Sequence, residues 1–265
     1  MNMFIHELKA YRKSTIIWTC SLIALIVLFL SMFPTFSKEA DAFKEIMKGF
    51  PEPIRKALGL SVESMSSILG FYSYMFLYTT LCGAIQAMNL GTSIISKEVR
   101  EKTADFLLTK PVTRTKIMTS KLMAALTCLV ITNVAYLAVA SFMASIVKTE
   151  NYSYKMFFMI SITLFFIQLM FLALGIIISV VVPKIKTVLP ISLGTVFTLF
   201  IIGMFAASTG DDALRYISPF KYFETSYIMK NGSFELSFML LGIGFIIVAI
   251  TTSYVLYSKR DVHAV

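Results

Sequence analysis

Charge is what this chain has least of. Only 15% of its 265 residues are Asp, Glu, Lys or Arg, mean hydropathy is +0.78, and long stretches carry no charge at all. A soluble domain of this size carries about 25% charged residues, so a water-soluble fold is excluded. Histidine is limited to His6 and His263, near opposite ends of the sequence, which leaves no ligand set for a metal and no buried proton relay. Cys20, Cys82 and Cys128 all fall within apolar runs and show no C-x-x-C spacing, so they read as small packing side chains. There is no G-x-x-x-x-G-K-[ST] phosphate loop, no H-E-x-x-H helix and no G-x-S-x-G elbow, so no catalytic residue, bound metal or bound cofactor is expected in this chain. The net charge of +9 points away from nucleic acid, because no soluble face is available to concentrate it.

What is present is a set of apolar runs. A run of about 20 residues crosses the hydrocarbon core as a helix, and the sequence predicts an all-α integral membrane protein of one domain with spans at about 15–35, 72–95, 116–147, 156–182, 187–207 and 234–257. The first run is too long for a signal-peptide core and lacks a small-x-small cleavage site, so it is expected to be retained. Ahead of it, Phe4, Ile5, Leu8 and Tyr11 recur at helical spacing opposite Lys9, Arg12 and Lys13, which predicts an amphipathic interfacial helix. After the first span, Ala42, Phe43, Ile46, Met47 and Phe50 suggest a second amphipathic helix, ended by Pro51 and Pro53. No acidic or basic residue is expected deep inside a span, which weighs against an ion-coupled carrier.

Charge fixes the expected orientation. If both termini lie on one side, the segments on that side hold 14 Lys/Arg and five acids, whereas the opposite segments hold ten of each. The entire excess of +9 then sits on one face, which the positive-inside rule makes cytoplasmic. The densest cluster is the stretch 96–121, with Lys97, Arg100, Lys102, Lys110, Arg114, Lys116 and Lys121 against Glu98, Glu101 and Asp105. It reads as a helix over about 97–109 ended by Pro111, followed by a second helix with Thr113 as N-cap. Such an amphipathic element either docks in a groove on a soluble partner or rests on anionic lipid, and its pattern alone serves both.

Two stripes stand out in the second span. Gly83, Ala87 and Gly91 form a small-xxx-small face suited to close helix approach, and Tyr78, Cys82, Gln86, Asn89 and Ser93 form a polar face beside it. The polar face reads either as interhelical hydrogen-bond glue or as the lining of a substrate route. Asn133 and Gln168 read as glue, and the aromatic segment from Tyr216 to Lys230 as an anchor at the membrane interface.

The stretch Glu98-Val99-Arg100-Glu101-Lys102-Thr103-Ala104-Asp105-Phe106-Leu107-Leu108-Thr109-Lys110-Pro111-Val112-Thr113-Arg114, followed by Lys121, resembles the signature of permease subunits of bacterial ABC-2 type exporters. Glu7-Leu8-Lys9 and Ser218-Pro219-Phe220-Lys221-Tyr222-Phe223 extend the resemblance over the full length, with Lys102 standing where the family usually has Gly. The resemblance implies a cytoplasmic coupling helix between spans 2 and 3, with Glu98, Glu101, Thr103, Phe106, Leu107, Leu108, Pro111 and Arg114 contacting a separate cytosolic ABC ATPase. That subunit would use ATP and Mg. The resemblance further implies a second permease chain, as a homodimer or heterodimer, multi-pass insertion in a bacterial cell membrane and export of an amphipathic or hydrophobic substrate. The aromatic segment around Tyr216 to Tyr227, within the stretch 208–233, would then form a lid over the exit. A different reading of the same loop is a non-transporting sensor or interaction subunit that recruits a cytosolic partner.

Overall fold

The computed structural model describes residues 3–39, 42, 45–46, 48–57, 67–101, 112–182 and 185–259, the side chains of Glu98 and Val99 excepted. The described residues form helices and turns without a strand: α1 (Met3–Lys38), α2 (Glu52–Ala57), α3 (Ile68–Arg100), α4 (Arg114–Val147), α5 (Tyr154–Val181), α6 (Val188–Thr209), α7 (Asp212–Ile217), a 3-10 turn at Pro219–Lys221, α8 (Thr225–Asn231) and α9 (Leu236–Lys259). Six of these helices, α1, α3, α4, α5, α6 and α9, are long and apolar enough to cross a membrane. Helices suit that role because each satisfies its own backbone hydrogen bonds where no water can.

The interior is built on α3 and α5. In their most apolar stretches 67% and 61% of residues are buried within the protein, against 17% for α6 and for α9. The two inner helices meet at backbone distance because glycine permits it. A Cβ added to Gly91 would lie 2.5 Å from the Leu172 carbonyl oxygen, and one added to Gly175 of α5 would lie 2.7 Å from the Met88 carbonyl oxygen. α1 and α4 pack along each other at the side of this pair. α1 turns one face inward, Glu7, Thr15, Leu22, Ile26, Leu30 and Phe33, while Ile16 and Ile17 remain exposed on the other.

One local expectation changes and another is extended. The amphipathic N-terminal segment is not a separate interfacial helix; it forms the first turns of α1, which continues without a break to Lys38. Apolar residues at helical spacing simply extend the register of the span, and no Gly or Pro interrupts them before Pro34. Ala42, Glu45, Ile46 and Lys48 are helical and give way to a turn at Gly49 and Phe50, just ahead of Pro51 as expected, but Pro51 and Pro53 also have a second role. They start α2, where the Pro51 carbonyl accepts from the backbone N–H groups of Ile54 and Arg55, and Pro53 sits in the first turn, where a missing N–H breaks no hydrogen bond. Of the residues assigned to the amphipathic helix before Pro51, Phe43 and Met47 lie outside the described residues. Thr113 caps α4 as expected, its hydroxyl accepting from the Lys116 N–H at 3.3 Å.

Length sets the outline of one end of the molecule. α1, α3 and α4 have 36, 33 and 34 residues. At ~1.5 Å per residue each is about 50 Å long, against ~30 Å of hydrocarbon. α3 and α4 therefore exceed the apolar layer, and Lys97 and Arg100 on α3 with Arg114 and Lys116 on α4 favour the end joined by the 97–111 stretch as the projecting one.

The glycine contacts yield a paired prediction. Gly91→Ala is expected to lower stability by about 1–3 kcal/mol through overpacking against α5. Gly194→Ala in α6, where nothing lies within 4 Å of the added methyl, is expected to be neutral or mildly stabilising. Thermal unfolding of the detergent-purified protein compares the two.

Candidate functional site

The end of the molecule that carries the loop is assembled from α1, α3, α4 and α9. At the end of α3, Glu101 sits in an exposed turn with its N–H donating to the Lys97 carbonyl at 2.8 Å. Arg114 opens α4 and donates to the Ser258 carbonyl near the end of α9 at 3.5 Å, and Tyr254 of α9 donates to Thr119 at 2.9 Å. α9 thereby braces the start of α4. Thr103, Phe106, Leu107, Leu108 and Pro111, expected to form the coupling contact, lie outside the described residues, and so does the side chain of Glu98.

About two turns inward, near the end of a span and not deep inside it, an ionisable pair is nevertheless buried. Lys121, inside the run drawn at 116–147, is fully buried, and its ammonium lies 3.7 Å from a carboxylate oxygen of Glu7, itself 3% exposed. Lys121 also donates to the Ile94 carbonyl of α3. Above this pair Tyr11 meets Ser93 at 3.1 Å, and the Lys97 ammonium lies 5.8 Å from the centre of the Tyr11 ring. A small cleft of about 50 Å³ between α1 and α3 follows, lined by Tyr11, Trp18, Gln86, Asn89 and Ser93 among others.

Deeper still, polar side chains form a continuous chain across four helices. Thr19 of α1 meets Thr132 of α4 at 2.9 Å. Gln86 of α3 donates to Thr132 at 3.0 Å, Gln168 of α5 donates to Gln86 at 3.0 Å, and Asn133 of α4 donates to Gln168 at 2.5 Å. Each amide gives its N–H to the next oxygen, so donors and acceptors match along the chain. Asn133 and Gln168 thus bond to each other across α4 and α5. Gln86 is buried and spent on these bonds, whereas Asn89 is half-buried on the cleft. Tyr78 faces Tyr74 at 3.2 Å and packs beside Phe29. Gly83 and Gly91 turn toward α5 at Leu164 and Leu172, and Ala87 is fully buried.

At the opposite end, the segment after α6 turns back between the helices. Gly210 at φ 70° ends α6, and Ser218 then donates to the carbonyl of Leu199 at 2.8 Å. Leu199 lies ten residues below the end of α6, a descent of about 15 Å. Phe220 is inserted between Phe171 and Phe200, at 5.1 and 5.4 Å, and Phe223 stacks on Phe166 at 5.3 Å. Arg215 bridges to Glu235 and lies 4.0 Å over the Phe238 ring. Burial holds the Tyr222 phenol above the usual tyrosine range, as a neutral donor to the Tyr216 carbonyl at 2.6 Å.

Sequence reasoning singled out Glu7 and Lys121 as pattern residues but not as partners. The available signal was a lone acid among the cations of the N-terminal segment and a lysine set among apolar neighbours. Nothing in their spacing says that they meet.

Six apolar helices around an interior of glycine contacts and hydrogen-bonded amides define a multi-pass membrane protein. Residues 1–262 match the family model described as ABC-2 family transporter protein, and the chain belongs to that family of membrane permeases. A comparison with curated proteins finds no match.

The amide chain carries its own test. Gln86→Leu leaves the Gln168 amide without its acceptor and removes one of the donors to Thr132, which keeps Thr19, and is expected to lower stability by about 0.5–2 kcal/mol. Asn133→Leu added to it is expected to cost less than in the wild-type background. A double-mutant cycle read by thermal unfolding in detergent checks this.

Proposed function

We propose that this chain is the membrane-spanning permease subunit of an ATP-driven exporter, working with a separate cytosolic ABC ATPase and a second permease chain. The observation that carries the reading is the family match over residues 1–262, which includes the charged and apolar stretch 98–114. The chain itself has no phosphate loop, so ATP and Mg belong to the partner. Both termini and the 97–111 stretch face the cytoplasm of a bacterial cell, where the excess of positive charge favours them.

In this reading a helix at about 97–109 docks on the ATPase. Phe106, Leu107 and Leu108 fill an apolar cleft, while Glu98, Glu101, Thr103 and Arg114 supply polar contacts and Pro111 separates the docking helix from α4. Closure of the ATPase pair displaces the loop, and α3 and α4 carry that displacement inward as stiff rods. The substrate is amphipathic or hydrophobic. It passes along the face of α3 that carries Tyr78 and Asn89, with Gln86 behind them fixed to Thr132 and Gln168. The inserted aromatic segment 216–223 lids the outer end of that route.

Co-expression with the ATPase tests the reading. Reconstituted together, the two are expected to hydrolyse ATP at a rate that depends on the permease. Leu107→Asp places a charge in the apolar contact and is expected to abolish co-purification while the six spans remain inserted. Retention of the ATPase by that variant counts against groove docking, and permease-independent hydrolysis counts against coupling.

A further inference from the structure

We infer that Glu7 and Lys121 are positioning residues forming a buried latch, which passes displacement of the 97–111 loop into the first helix. This rests on the reading of that loop as the ATPase-docking element.

The first argument is placement. Ile94 lies six residues before the end of α3 and Lys121 seven residues after the start of α4, so the two are the inner ends of the two flanks that hold the loop. One ammonium joins both flanks to α1, donating to the Ile94 carbonyl and facing the Glu7 carboxylate. Helical geometry puts this junction only ~10 Å from the loop on each flank. A shift of the loop that moves α3 against α4 therefore acts on Lys121, and through Glu7 on a helix that crosses the whole apolar layer.

The second argument is the chemistry of the pair. A buried ion pair is poor stabilisation, since desolvation offsets attraction and an apolar pair of equal volume often does as well. A carboxylate kept only to hold the fold would be expected to have both oxygens bonded. Here the closest approach of 3.7 Å exceeds hydrogen-bond range, and Oε2 of Glu7 is buried with no hydrogen-bond partner. The contact has room to tighten. Such a carboxylate can take up a second geometry when the flanks shift, whereas a saturated one would resist.

The third argument is the way α1 is held. Beyond the pair it is tied by hydroxyl contacts, Tyr11 to Ser93 and Thr19 to Thr132. Among the described residues two charged contacts join α1 to the loop flanks, the Glu7–Lys121 pair and the Lys97 ammonium 5.8 Å from the centre of the Tyr11 ring, and of the two the Glu7–Lys121 pair is the buried one.

Hydrogen–deuterium exchange on the full chain, alone and in complex with its ATPase, tests the latch without needing the substrate. In the chain alone, Glu7→Gln and Lys121→Met are each expected to raise amide exchange across residues 3–13 about tenfold. The swap Glu7→Lys with Lys121→Glu is expected to return it to within about twofold of wild type. In the complex, ATP is expected to change exchange both at 114–120 and at 3–13. In Lys121→Met the change at 114–120 persists, while that at 3–13 falls at least about fivefold, and the swap restores it. If a single variant does not fold, the swap alone decides, because a folded swap whose residues 3–13 ignore ATP overturns the latch. An unchanged response at 3–13 in Lys121→Met, with the ATPase still bound, overturns the latch and leaves the docking reading intact. A wild-type chain that binds no ATPase overturns the docking reading, and the transmission role with it.

Discussion

The close approach of α3 and α5 is the constraint on which the rest of the structure depends. Between apolar helices in lipid there is little hydrophobic drive to associate, so packing contact and interhelical hydrogen bonds decide which helices stay together. Gly83 and Gly91 on one helix and Gly175 on the other remove the side chains that would hold the axes apart. Once the two backbones meet, Gln86 and Gln168 come within bonding distance, and the amide chain follows from the glycine contact rather than preceding it. α4 joins through Thr132 and Asn133, and α1 through Thr19.

The other spans depend on this inner group unequally. α6 and α9 bury little of their surface, α9 packing on α5 and α6 on α3, and the segment between them adds aromatic contacts to the interior. Phe220, Tyr222 and Phe223 fill the space that two sparsely packed helices leave open, and Gly203 and Gly242 make room where Ser218 and Tyr222 come closest. That aromatic insertion complements the direct packing of α9 on α5 and of α6 on α3.

How much of this was legible in the sequence follows from what an apolar helix can and cannot display. Charge-free runs mark spans because lipid demands them, and the 98–114 pattern led to the family. Which face of each helix turns inward was not legible for α4, α5 and α6, since side chains that are apolar all round carry no periodic signal. α1 was the exception only at its first turns, where Lys9, Arg12 and Lys13 alternate with apolar residues, and even there the pattern did not reveal that the helix runs on unbroken. Asn133 and Gln168 read as glue, but which residues they join was not legible because their partners lie on other helices. Glu7 and Lys121 stand 114 positions apart, and only the packing of α1 against α4 brings them together.

The amide chain has an electrical consequence. Every group in it is neutral, a hydroxyl or a carboxamide, and the buried cation at Lys121 sits near one end of its helix beside a compensating carboxylate. Moving one elementary charge through the field of a membrane is worth about 2.3 kcal/mol per 100 mV. When these helices slide or tilt against one another at mid-depth, no side-chain charge among the described residues of that layer travels through the potential. Movement confined to that layer would be electrically silent as far as its side chains go, so a voltage dependence of transport would have to enter through the charged ends of the helices or through charge on the cargo.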